Sequence, residues 1–252
     1  MNYFVAPDSI VRKIWGKDDT ILFIFAGASA EFALNKAVDW LYFTGKLPSD
    51  PLGRLFSTVS YARQIIFADY DQALFAINKI TSIHQAVEQK RAAQIPDWAY
   101  RDVLFMLIDY SIRSFELLER KLTPEEKEDI FDVFYRVGSG MGISGLPTNF
   151  HSWQQMREEH IQEHLLASAF TVDLYRQYKK HLGTIRFFIL KQAQILVVPQ
   201  RVNKLLRLGN TPIFASVIIT YKFLRFLKVE NYLKNMLLPE AYKPQIAALN
   251  TA

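Results

Sequence analysis

The sequence predicts an all-α protein. Three observations carry this reading. Apolar residues recur at helical spacing along nearly the whole chain. No convincing run of alternating strand residues interrupts them. Glycine and proline, ten of each in 252 residues, fall mostly between the periodic segments. The pattern predicts helices over 8–15, 20–43, 51–67, 70–93, 98–121, 124–138, 150–180, 183–197, 200–208 and 212–237.

Within the second of these, 21–30 is the most apolar stretch, and Glu31, Lys36 and Asp39 interrupt its continuation. It falls short of the roughly 20 apolar residues that span a bilayer, so it reads as a buried helix. In the third, Arg54 and Thr58 lie one turn apart on one face. Leu55, Val59, Ala62 and Ile66 form a core stripe on the other. The fourth starts at Asp69, a good cap, and carries Ile77, Ile80, His84 and Val87 on one side. A histidine inside an apolar stripe, beside a helix that offers an Arg–Thr pair, points to a buried polar cofactor. The plainer reading is a hydrogen-bonded core histidine, with Arg54 paired to Asp50 at the helix start.

Thr123-Pro124-Glu125-Glu126 supplies a cap, a first-turn proline and acids at the positive end of the helix dipole. Gly138, Gly140, Gly142 and Gly145 then form a glycine-rich loop near 138–147, closed by Pro147. It links two halves of one domain covering 1–252. The final segment, 212–237, mixes apolar residues with Lys222, Arg225, Lys228 and Lys234. It reads as a core helix with a solvated basic face, or as a peripheral contact with a membrane surface.

Composition narrows the chemistry. Half the residues are apolar, enough for a sizeable core. The absence of cysteine excludes disulfides, thiolate-ligated heme, iron–sulfur clusters and cysteine nucleophiles. A net charge of +5 without a basic run argues against nucleic acid as a partner. The N-terminus lacks the pattern of a signal peptide. The expected location is cytoplasmic, at the membrane periphery if the basic C-terminal face docks there.

The order of these segments resembles the family of latex clearing proteins and MpaB-type oxygenases. The resemblance starts at SIVRKIWGKDDTILFIFAGASAEFALNKAV and runs through DPLGRLFST and KITSIHQAV. It continues in LIDYSIRSFELLERKLTPEEKEDIFDVF and GISGLPTNF, and ends before Leu238-Pro239. It implies an all-α domain like the latex clearing protein core and a non-covalent heme b. Carried over, His84 is the iron ligand, and Arg54 with Thr58 positions or polarises dioxygen. The implied function is a heme-dependent oxygenase acting with dioxygen on an apolar or isoprenoid-like small molecule, in a pocket lined by Phe, Leu and Ile. The chain departs from the family in four places. Ser57 replaces a lysine that can take iron's other axial position, which implies an open or water-filled site. Val38-Asp39 stands where many members have His-Pro. Asp39 is the nearest substitute for a glutamate base. Glu88 replaces a common glycine.

A second constellation, His160-Ile161-Gln162-Glu163-His164, satisfies an inverted zinc-protease pattern, with two histidines on one helix face and Glu163 as base. It suggests a zinc-dependent hydrolase. Its surroundings, REEHIQEHLL, read instead as a solvated charged face without a downstream third ligand. A helical binding protein that has lost its cofactor is the third reading.

Overall fold

The computed structural model describes residues 2–45 and 49–209, except for the Leu55 side chain. Ten α-helices are present among them, and the only β features are two isolated bridges, Tyr3 to Asp69 and Asn35 to Leu165. The expected helix over 212–237, with its membrane-surface reading, lies outside the described residues.

The fold is built on the crossing of α2 (Asp18–Phe32) and α6 (Asp97–Leu118). They meet where Gly27 faces Tyr110, and a Cβ at Gly27 would lie 2.2 Å from the tyrosine ring. Only glycine lets the two helices approach this closely. α1 (Ile10–Trp15) is capped by Ser9 and lays Trp15 into the core, where the indole N–H donates to Ser111 at 3.1 Å. α4 (Pro51–Phe67) and α5 (Tyr70–Arg91) follow each other and pack together. Val59, Ala62, Ile66 and Ile77 supply their buried faces, as the spacing predicts. Asp69 caps α5 by accepting from the Gln72 N–H. α7 (Pro124–Gly140) starts with a reciprocal capping box between Thr123 and Glu126 and packs on α6. α8 (Phe150–Glu163), α9 (Ala169–Val197) and α10 (Gln200–Leu206) complete the domain.

Two expected helices are broken, both by polar side chains that bond locally. The segment 20–43 splits into α2 and α3 (Val38–Phe43). At the break, Asn35 accepts from the Ala37 N–H at 2.8 Å and donates to Asp102 at 2.7 Å. The segment 150–180 ends early at Glu163, and Ser168 caps a new helix at Ala169 through a capping box with Thr171. The expected boundary at Gly183 becomes a kink inside α9, where that glycine takes φ +73°. None of the helices formed by described residues is long and apolar enough to cross a membrane.

Candidate functional site

Asp50 fixes the start of α4 by accepting from the Gly53 N–H at 2.9 Å, and Pro51 occupies the first turn. Arg54 follows one turn into the helix. It is half-buried, and burial pulls its pKa below the usual value, opposed by Tyr61; among the described residues no carboxylate contributes. The expected pairing of Arg54 with Asp50 is therefore absent from its surroundings. Its guanidinium donates instead to the Ser57 hydroxyl at 3.1 Å. Ser57 and Thr58 both turn their hydroxyl protons back to the Arg54 carbonyl, at 2.8 and 3.2 Å. In this arrangement the Thr58 proton is committed to the backbone.

His84 projects from α5 into the same region. Its pKa is pushed down to about 4, first by burial and then by the Arg54 charge, with Glu88 opposing. The imidazole is neutral at pH 7 as a result. Its Nδ1 is buried and has no hydrogen-bond partner among the described residues. The ring meets Tyr100 edge-on, with centroids 5.2 Å apart. Tyr100 is braced by Glu88, which accepts from the tyrosine hydroxyl at 3.1 Å and from the Ile95 N–H at 2.8 Å. Burial and Glu88 raise the Tyr100 pKa, so the phenol stays protonated.

A cavity of about 220 Å³ opens beside His84, lined also by Thr81, Glu88, Tyr100 and the loop residues 141–143. Of the expected Phe, Leu and Ile, isoleucine alone lines it, as Ile95 and Ile143. Most of the wall is polar, because the cavity sits where α5 ends, α6 begins and the glycine-rich loop crosses. Arg54 is not among the lining residues and is linked to the cavity through its electrostatic effect on His84. Asp39 is elsewhere, at the start of α3, where it accepts a 2.7 Å ion pair from Arg91, two turns beyond His84 on α5. Arg91 in turn lies 4.0 Å over the Trp40 ring.

For heme, the donor chemistry fits. A neutral imidazole with a buried nitrogen that no described residue partners is a ligand in waiting, and Arg54 is a partly desolvated cation that no described carboxylate neutralises. The space is smaller than the roughly 300–1,000 Å³ of ordinary ligand sites. Seating a heme requires α4, α5 or the 141–143 loop to move apart.

A separate polar core lies on the inward face of α8, which contradicts the expectation of a solvated face around His160. Trp153, Arg157, His160 and Ile161 are all buried. Arg157 donates to both oxygens of Glu31, at 2.5 and 2.6 Å, and to Asp109 at 3.0 Å. Tyr110 donates to Glu31 at 2.7 Å. Burial works against the Arg157 charge, but Glu31 and Asp109 more than offset it and raise its pKa. One turn further, His160 lies against Asp102 and stacks on Phe105, with centroids 5.0 Å apart. His164 sits 3.2 Å from the same carboxylate. Glu163, the expected base of this cluster, is exposed. Sequence reasoning missed Asp102 because the third member comes from another helix, far upstream. The one usable signal was polar: Arg157, His160 and His164 follow Trp153 at helical spacing, a buried stripe that a hydrophobic pattern cannot register.

Fold and site together define a helical domain in which an imidazole and a guanidinium, both half-buried, influence each other electrostatically. The chain belongs to the family described as the catalytic domain of ER-bound oxygenase mpaB/B′ and rubber oxygenase, whose model it matches over residues 14–227. This places its general activity among the oxygenases. No curated protein matches the chain.

Proposed function

We propose that this protein is a heme b-dependent oxygenase that brings dioxygen to an apolar or isoprenoid-like small molecule. The observation that carries this reading is His84: half-buried and neutral, with a buried Nδ1 that no described residue partners, within electrostatic reach of a guanidinium that no described carboxylate neutralises. Membership in a family that includes rubber oxygenase supports the apolar substrate class. When bound, heme supplies a redox-active iron at which dioxygen can react.

The protein's own residues would do the remaining work. His84 offers a ring nitrogen to the metal, and its edge-on contact with Tyr100 limits ring rotation. Arg54 neutralises a propionate or donates toward the reacting oxygen. Its fork suits either task better than a lysine would. Thr58 can donate to a ligand only after releasing its bond to the Arg54 carbonyl. Ser57, whose hydroxyl donates to the Arg54 carbonyl and accepts from its guanidinium, would not be among the residues that hold the iron. Asp39 could accept a proton only in competition with Arg91.

Hemin titration of the purified protein tests the proposal. One equivalent bound, with a Soret band and a raised melting temperature, is the expected result. A titration without a saturable complex, and a melting temperature that hemin leaves unchanged, would replace this reading with that of a helical binding protein.

A further inference from the structure

We propose that Asp102, His160 and His164 form a site for a divalent first-row transition metal, separate from the His84 pocket. One ligating atom from each residue lies within 4.8 Å of the other two. Ligands around one tetrahedral zinc stand roughly 3–3.5 Å apart, given bonds of about 2.0–2.1 Å, so small side-chain adjustments suffice. The three residues come from two elements that the fold holds in fixed register. Asp102 lies in the second turn of α6, and His160 and His164 end α8.

Three further observations point to a metal rather than to a simple ion pair. His160 Nδ1 is in contact with Asp102 Oδ1, yet among the described residues it lacks a partner of hydrogen-bond geometry. A nitrogen and a carboxylate oxygen converge there without satisfying each other, which is the arrangement that a shared cation resolves. Asp102 is also oriented from behind, since Asn35 donates to its Oδ2 at 2.7 Å. Such outer bonds are what fix the carboxylate ligands of metal sites. His164 is pinned at its backbone, where its carbonyl accepts from the Lys36 N–H at 3.0 Å and the next residue, Leu165, bridges Asn35.

Two imidazoles and one carboxylate select a transition metal over calcium or magnesium, which prefer oxygen donors. The same donor set serves zinc and non-heme Fe(II), and three protein ligands leave coordination positions open. Trp98 covers His164, with ring centroids 4.4 Å apart, and would wall one side of the site.

The test is calorimetric titration of the untagged full chain with Zn²⁺, and anaerobically with Fe²⁺, alongside the visible spectrum with Co²⁺. One equivalent should bind, with cobalt d–d bands that report nitrogen ligation. His164→Gln is the main variant, because His164 is partly exposed at a helix end and its loss leaves the core packed. It should weaken binding by more than about 100-fold, beyond the roughly 10–100-fold typical of an outer-shell loss. His160→Gln should act alike. His84→Gln, and His181→Gln at a histidine of α9 outside the cluster, should bind as the wild type does. Absence of a stoichiometric complex with either metal, or unchanged affinity in His164→Gln, would overturn the site. Loss of binding in His84→Gln would transfer the metal to the other pocket. Failure of hemin to bind has no bearing on these results.

Discussion

Trp98 and Tyr100 leave the start of α6 in opposite directions, Trp98 against His164 and Tyr100 against His84. Two residues on a helix are about 200° apart, so one turn of backbone serves both candidate sites. A shift of this turn is felt at both histidines. It also carries Asp102, one turn beyond Trp98 and on the same face.

His84→Ala is expected to lose the Soret band of the hemin complex while the far-ultraviolet circular dichroism keeps its helical shape. Retention of stoichiometric heme by this variant would remove His84 as the ligand. In the wild-type complex, added cyanide or imidazole should bind readily, because Ser57 offers no strong second ligand. A resting spectrum of low-spin iron with two protein ligands would contradict the open side.

Arg54→Ala should reduce hemin affinity, and Arg54→Lys should restore it only in part, since an ammonium lacks the planar fork. Measured by spectral titration, equal affinity in all three proteins would exclude Arg54 from the cofactor pocket.

Arg157→Ala should destabilise the fold by about 3–5 kcal/mol, because Glu31 and Asp109 would then face each other as buried charges without a cation. Urea unfolding monitored by tryptophan fluorescence gives the value. A loss below about 1 kcal/mol would mean that water reaches the network.

Gly27→Ala should cost about 1–3 kcal/mol by overpacking, since the new methyl meets the Tyr110 ring. Tyr110 cannot swing away without breaking its bond to Glu31. Thermal unfolding at a lowered midpoint is the expected signature, whereas an unchanged midpoint would show that α2 and α6 can slide apart freely.

The acid limb of stability should contain a contribution from Glu126. Hydrogen bonds from Arg120 lower its pKa to about 2, against the opposing effect of burial and with help from the Thr123 N–H. A carboxylate with a depressed folded pKa binds fewer protons than its unfolded form, so its contribution is complete above about pH 4.5 and fades as pH falls toward 2. The pair is mostly exposed, so solvent screening limits the effect to about 0.5–1 kcal/mol. Stability measured from pH 6 to pH 2 in Glu126→Gln should lack this part of the slope. An identical slope in both proteins would show that the pair does not form in solution.

The sequence by itself determined most of the helices, the caps at Asp69 and Thr123, and the faces that Val59, Ile66 and Ile77 bury. Those features depend on contacts within a few residues, which spacing records directly. It also singled out His84 and Arg54, because a polar residue on an apolar stripe is conspicuous in one dimension. Only the tertiary structure decided where helices break at Asn35 and Ser168, since there a side chain outcompetes the next turn of backbone. It likewise decided the fate of α8, where the seemingly solvated REEHIQEH turns its Arg157 and His160 inward. Their partners, Glu31, Asp102 and Asp109, lie on α2 and α6. Charge satisfied across helices leaves no periodic trace in any one of them, and burial of a paired ion looks in sequence like exposure.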